Sequence, residues 1–139
     1  MSMTVTPATP LGDEDRAAII AAVREFAQAH LAPHALEWDR TKHFPRDVLR
    51  LAGELGRGGL VVRDDVGGVG LARVDAVAVF EELAPGDPTI AAYISIHNMV
   101  AWMIDRFGDE AQRKRFVPKL VSMDKIASYC LTEPGSGSD

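Results

Sequence analysis

A chain of 139 residues, 47% hydrophobic and 25% charged, is long enough to enclose one core and too apolar to be disordered. Its net charge of -5 argues against a nucleic-acid partner, yet leaves room for a phosphate-bearing ligand held by local backbone donors. The single cysteine, Cys130, excludes an internal disulfide framework and a thiolate metal site, and no apolar run approaches the ~20 residues of a membrane helix.

Residues 1–12 are rich in Thr and Pro without periodicity and predict a flexible arm. They carry neither the basic and apolar regions of a secretory signal nor the Arg-rich pattern of a mitochondrial transit peptide, so a cytoplasmic chain is expected. From residue 13 the pattern turns helical. Asp13, Glu14 and Asp15 put negative charge in the first turn, and Ile19, Val23, Phe26 and His30 recur at helical spacing. Pro33 interrupts, and a short helix is expected through Ala35, Leu36 and Trp38. Pro45 opens a third helix as a first-turn proline, with Val48, Leu51, Ala52 and Leu55 as its apolar stripe and Gly56 as a left-handed stop. Gly53 inside it costs ~1 kcal/mol relative to alanine.

A glycine-rich connector covers 58–70, and a helix is predicted over 73–84 with Ala76, Phe80 and Leu83 on one side. Asp87-Pro88 supplies a cap and a first-turn proline for a long helix over 89–107. That helix is so apolar (Ile94, Ile96, Met99, Val100, Trp102, Met103, Ile104, Phe107) that enclosure on all sides is expected. Gly108 ends it, Asp109 with Gln112 reads as a capping box, and Pro118 is expected to end the last helix. Residues 126–132 read as a strand leading into a Gly/Ser turn. A strand with no upstream partner leaves its backbone donors unsatisfied, so the sequence reads as cut there.

The most informative string is Tyr129-Cys130-Leu131-Thr132-Glu133-Pro134-Gly135-Ser136-Gly137-Ser138-Asp139. Its small residues let backbone N–H groups approach a phosphate or a ring, and Thr132 and Ser138 add hydroxyl donors. Taken alone, a Gly/Ser turn is simply a turn. In context the string resembles the flavin-binding signature of the acyl-CoA dehydrogenase family. Phe44-Pro45, the Asp65-Val66-Gly67-Gly68-Val69-Gly70-Leu71 connector, Phe80-Glu81-Glu82-Leu83-Ala84, Phe107-Gly108-Asp109-Glu110-Ala111-Gln112-Arg113 and Phe116-Val117-Pro118 resemble that family in the same order. Residues 92–99 and 101–105 look most like its isobutyryl-CoA branch.

The resemblance implies a mostly α fold: a flexible arm over 1–12, a bundle of five to six helices over 13–125, and the first strand of a truncated central β domain over 126–139. It implies FAD as cofactor, α,β-dehydrogenation of a short branched acyl-CoA, an electron-transfer flavoprotein as electron acceptor, and a homotetramer. Carried onto this chain, Tyr129, Cys130, Leu131, Thr132, Glu133, Pro134, Gly135, Ser136, Gly137 and Ser138 would lie along the flavin, with Thr132 near N5. Ser138, Tyr93, Ser95 and Met99 would meet the substrate. The proton-abstracting glutamate is expected beyond Asp139, which leaves the chain inactive alone. The rival expectation is a non-catalytic helical interaction module.

Other candidates have plainer readings. His30, His34, His43 and His97 lack metal-ligand spacing, and His30 and His34 straddle Pro33, so no metal is expected. Cys130 reads as a packing residue, not a nucleophile. Gly67-Gly68-Val69-Gly70 reads as a tight turn between helices, because no clear strand precedes it as a nucleotide loop needs. Arg113-Lys114-Arg115 is expected on a solvated helix face.

Overall fold

The computed structural model describes residues 8–138; residues 1–7 of the expected arm and Asp139 lie outside them. Six α-helices account for most of the chain: α1 (Asp13–His30), α2 (Ala35–Thr41), α3 (Arg46–Glu54), α4 (Arg73–Leu83), α5 (Pro88–Phe107) and α6 (Glu110–Val121). A 3-10 turn, Asp64–Val66, interrupts the connector between α3 and α4. The expected mostly helical architecture is therefore present.

Local chemistry sets the boundaries. Asp87 accepts from the backbone N–H groups of Thr89 and Ile90 at 2.8 and 3.1 Å, and so satisfies two donors that a helix start leaves open. Asp109 and Gln112 exchange hydrogen bonds with each other's backbone at 2.8 and 2.9 Å, the reciprocal cap expected of them. Pro45 sits just before α3, not inside its first turn. Gly56, with φ of 79°, supplies the left-handed stop.

Pro118 does not end α6. The helix continues to Val121, and the Pro118 carbonyl accepts from Ser122 N–H at 3.1 Å. A proline deletes only its own donor, and the hydrogen bonds on its far side still form.

Two apolar clusters hold the elements together. The larger joins Val23, Phe26 and Ala27 of α1, Leu49 and Ala52 of α3, Ala76, Val79 and Leu83 of α4, and Ile90, Ala91 and Ile94 of α5. The smaller joins Ala101 of α5 to Val117, Leu120 and Val121 of α6 and to Val62 and Val66 of the connector. The connector doubles back on itself, with Val69, Gly70 and Leu71 donating to the carbonyls of Gly59, Val62 and Leu60 at 2.7–2.9 Å. Gly67-Gly68-Val69-Gly70 thus serves as a turn between helices.

Three expectations need correction. The arm is anchored at its inner end, where Leu11 N–H donates to the buried Asp75 carboxylate at 2.9 Å, shared with Arg16 at 2.9 Å. α5 is not enclosed on all sides: Ile90, Ile94, His97, Asn98, Ala101 and Asp105 face inward, while Ile96 and Phe107 are exposed. Arg113 is buried, not solvated; it bonds Asp105 at 2.9 Å, Asp65 at 2.8 Å and Glu110 at 2.7 Å. Three carboxylates around one guanidinium offset the cost of taking it out of water.

Candidate functional site

Residues 126–132 form no ladder; the β-type pairing among the described residues is the bridge between Glu133 and Ser136. The expected strand is not paired because no second strand lies beside it, and a strand is defined by its partner. Its backbone N–H groups from 128 to 132 find no acceptor among the described residues. Cys130 is exposed instead of packed, for the same reason. Tyr129 is 43% and Leu131 70% exposed, and space is open around Gly135 and Gly137, where an added Cβ would meet nothing within 4 Å. Thr132, Glu133, Pro134, Ser136 and Ser138 share this exposed run.

One residue, Ala127, fastens the segment to the bundle. The Ala127 N–H donates to His97 Nδ1 at 3.2 Å, and the Tyr93 hydroxyl donates to the Ala127 carbonyl at 3.2 Å. Tyr93 and His97 are one turn apart on α5, so both reach the backbone of the same residue. His97 Nε2 lies 2.8 Å from the Leu120 carbonyl. It must donate there, which leaves Nδ1 free to accept. Burial lowers the His97 pKa, with the Leu120 carbonyl acting in the opposite direction. Burial likewise raises that of Tyr93, against the nearby charge of Arg46. Phe44 meets the Tyr93 ring edge-on at 4.9 Å, which fixes its plane.

The residues expected to meet substrate do not converge. Tyr93 points toward Ala127, whereas Ser95 and Met99 lie on the far side of α5 from the core-facing stripe. The Ser95 hydroxyl bonds the Ala92 carbonyl of its own helix at 2.7 Å. His34 and His43 flank Trp38, and His30 lies against Phe26.

Two polar constellations escaped the sequence reading. Asn98 accepts from Leu60 N–H at 2.7 Å and donates to the Arg57 and Ile94 carbonyls at 2.7 and 3.0 Å, which pins the connector to α5. Asp105 takes Arg63 at 3.1 Å and Arg113 at 2.9 Å. Burial pushes the Asp105 pKa up, but the two guanidinium groups outweigh it and hold the carboxyl below its usual range. The signal was present: His97, Asn98 and Asp105 are polar residues in a mostly apolar helix, and their spacing puts them on one face.

The segment's open donors, exposed Tyr129 and Leu131, and uncrowded glycines fit a flat, phosphate-bearing cofactor laid along it. A family model described as the acyl-CoA dehydrogenase N-terminal domain matches residues 13–124. The chain belongs to the acyl-CoA dehydrogenase family.

Within the acyl-CoA dehydrogenases, it is 57% identical over 126 residues to the mitochondrial isobutyryl-CoA dehydrogenase of Dictyostelium discoideum, covering 91% of this chain and 30% of that relative. It is also 57% identical over 114 residues to the mitochondrial isobutyryl-CoA dehydrogenase of Bos taurus, covering 82% and 27%. A glutaryl-CoA dehydrogenase from Mycobacterium smegmatis, solved in complex with FADH2, superposes with a TM-score of 0.85 at 29% identity, over 92% of this chain and 33% of that one. The chain thus spans less than a third of the length of these curated relatives. Acyl-CoA dehydrogenases are FAD-dependent, in keeping with that FADH2 complex. The cytoplasmic expectation is overturned, because both 57%-identical relatives are mitochondrial proteins by name.

Proposed function

We propose that this chain is the helical amino-terminal part of an FAD-dependent dehydrogenase that desaturates a short branched acyl-CoA at its α,β bond, with isobutyryl-CoA as the preferred substrate. The observation that carries this reading is the 57% identity to isobutyryl-CoA dehydrogenases, against 29% to a glutaryl-CoA enzyme of closely similar fold. Bound FAD supplies the hydride acceptor.

The chain's own part is to bind and orient. Residues 129–138 would line the cofactor, with Tyr129, Leu131 and Thr132 toward its ring and Gly137 and Ser138 by its phosphates or the thioester. Tyr93 and His97 would hold the root of that segment. Tyr93 would also bound the acyl end, whereas Ser95 and Met99, on another face of α5, would meet other parts of the enzyme that pack there. The proton-abstracting glutamate would come from outside these 139 residues, so 1–139 alone should not turn over. An electron-transfer flavoprotein would remove the electrons, and the working assembly would be a homotetramer.

The test is to isolate the protein from its source and read mass and flavin absorbance on one chromatographic peak. Turnover is then compared on isobutyryl-CoA, n-butyryl-CoA and isovaleryl-CoA. The expected result is a flavoprotein of roughly three times this chain's length with its highest kcat/KM on isobutyryl-CoA. A flavin-free protein of this length would favour a non-catalytic interaction module, and a preference for n-butyryl-CoA or isovaleryl-CoA would overturn the substrate.

A further inference from the structure

Between α1 and the doubled-back connector lies a groove of about 460 Å³ that shares no lining residue with the Ala127 anchor. Its walls are apolar, formed by Ile19, Val23, Leu60, Val69, Leu71 and Val79. Arg57 belongs to the same lining, yet it is only 5% exposed. Its guanidinium carbon lies 4.7 Å above the Phe26 ring, while Nη2 donates to the Ala22 carbonyl and Nη1 to the Leu55 carbonyl, each at 3.2 Å. Phe26, Ala22 and Leu55 also line the groove, so the charged end of Arg57 sits in its wall.

What is missing is a counter-charge. The other arginine buried to this degree among the described residues, Arg113, is met by three carboxylates. Arg57 forms no ion pair among the described residues, and its Nε–H is buried without an acceptor. Glu25 lines the groove but is not paired with it. A buried ion held only by two neutral carbonyls and a ring face is costly, and burial depresses the Arg57 pKa accordingly.

We propose that this groove is a binding site for a small monocarboxylate with an apolar tail, whose carboxylate neutralises Arg57 while the tail lies along Val23, Leu60 and Val79. The volume falls within the range of small-molecule pockets, and an apolar cleft with one convergent cation is the arrangement such a ligand needs. The site does not depend on the dehydrogenase reading, since it uses none of residues 93–99 or 126–138.

Octanoate is the probe, titrated into the 139-residue chain by calorimetry below its micellar concentration, beside octanol and octylammonium. Octanoate should bind one site at least about tenfold more tightly than octanol, the margin of one charge-assisted hydrogen bond. Arg57→Met should abolish that preference while leaving the chain as stable as before or more so, because it removes an uncompensated buried charge. Val69→Trp, at the exposed rim, should block both ligands. Equal binding of octanoate and octanol, no octanoate binding at all, or unchanged preference in Arg57→Met would each overturn the proposal.

Discussion

His97 holds its proton on Nε2, because that nitrogen faces the Leu120 carbonyl while Nδ1 receives the Ala127 N–H. A second proton on Nδ1 would set donor against donor. The folded state therefore resists a proton that the unfolded chain takes up near pH ~6.5. With the folded pKa depressed, the stabilisation is fully present above about pH 6.5 and declines as pH falls through that value toward the folded pKa. Urea midpoints followed from about pH 8 to pH 5 should fall, and less so in His97→Gln. A constant separation between the two midpoints across that range would count against this account. Asp105 poses a harsher case. Asp105→Asn leaves Arg113, whose side chain is 6% exposed, short of its one buried carboxylate partner. The expected loss is about 3–5 kcal/mol in urea unfolding, and a loss under ~1 kcal/mol would show the pair to be dispensable. The helical pattern marks both His97 and Asp105 as facing inward, but it does not reveal their partners. Arg113 stands in a basic run, and only the fold reveals that Asp105, eight residues earlier, turns it inward.

Among the elements, most caps and stops were legible because each is decided within a few residues, Pro118 being the exception. Asp87, the Asp109–Gln112 pair and Gly56 act as expected. Partnerships between distant segments were not. Gly53 reads as a weakness inside α3, since alanine there is worth ~1 kcal/mol more in an isolated helix. A Cβ at this position would run into the Ser122 carbonyl at the end of α6. That obstacle is backbone, and overpacking against a well-packed region costs about 1–3 kcal/mol. Gly53→Ala should therefore lower the thermal midpoint despite its better helix propensity; a raised midpoint would mean that α6 can retreat. The run at 126–132 failed for the opposite reason. Its composition favours a strand, but composition cannot supply a neighbour to pair with.

Across the molecule, α5 decides what the surface looks like. Its polar His97, Asn98 and Asp105 face the core while Ile96 and Phe107 lie exposed, and Met103, Phe107 and Phe116 line a shallow apolar depression. Exposed apolar surface of this kind marks contact sites. The 139-residue chain is expected to self-associate at micromolar concentration and to bind a hydrophobic dye, and Phe107→Lys should reduce both. Sedimentation showing a wild-type monomer that ignores the dye would refute this.

The fastening at Ala127 makes residues 128–132 a lever with its fulcrum at one residue. Five residues reach at most about 17 Å, so a swing of about 10° at the fulcrum carries Thr132 roughly 3 Å, the length of a hydrogen bond. In the proposed flavin-side role, the helices alone would aim the Thr132 hydroxyl too coarsely, and its accuracy would come from whatever pairs along the lever's length.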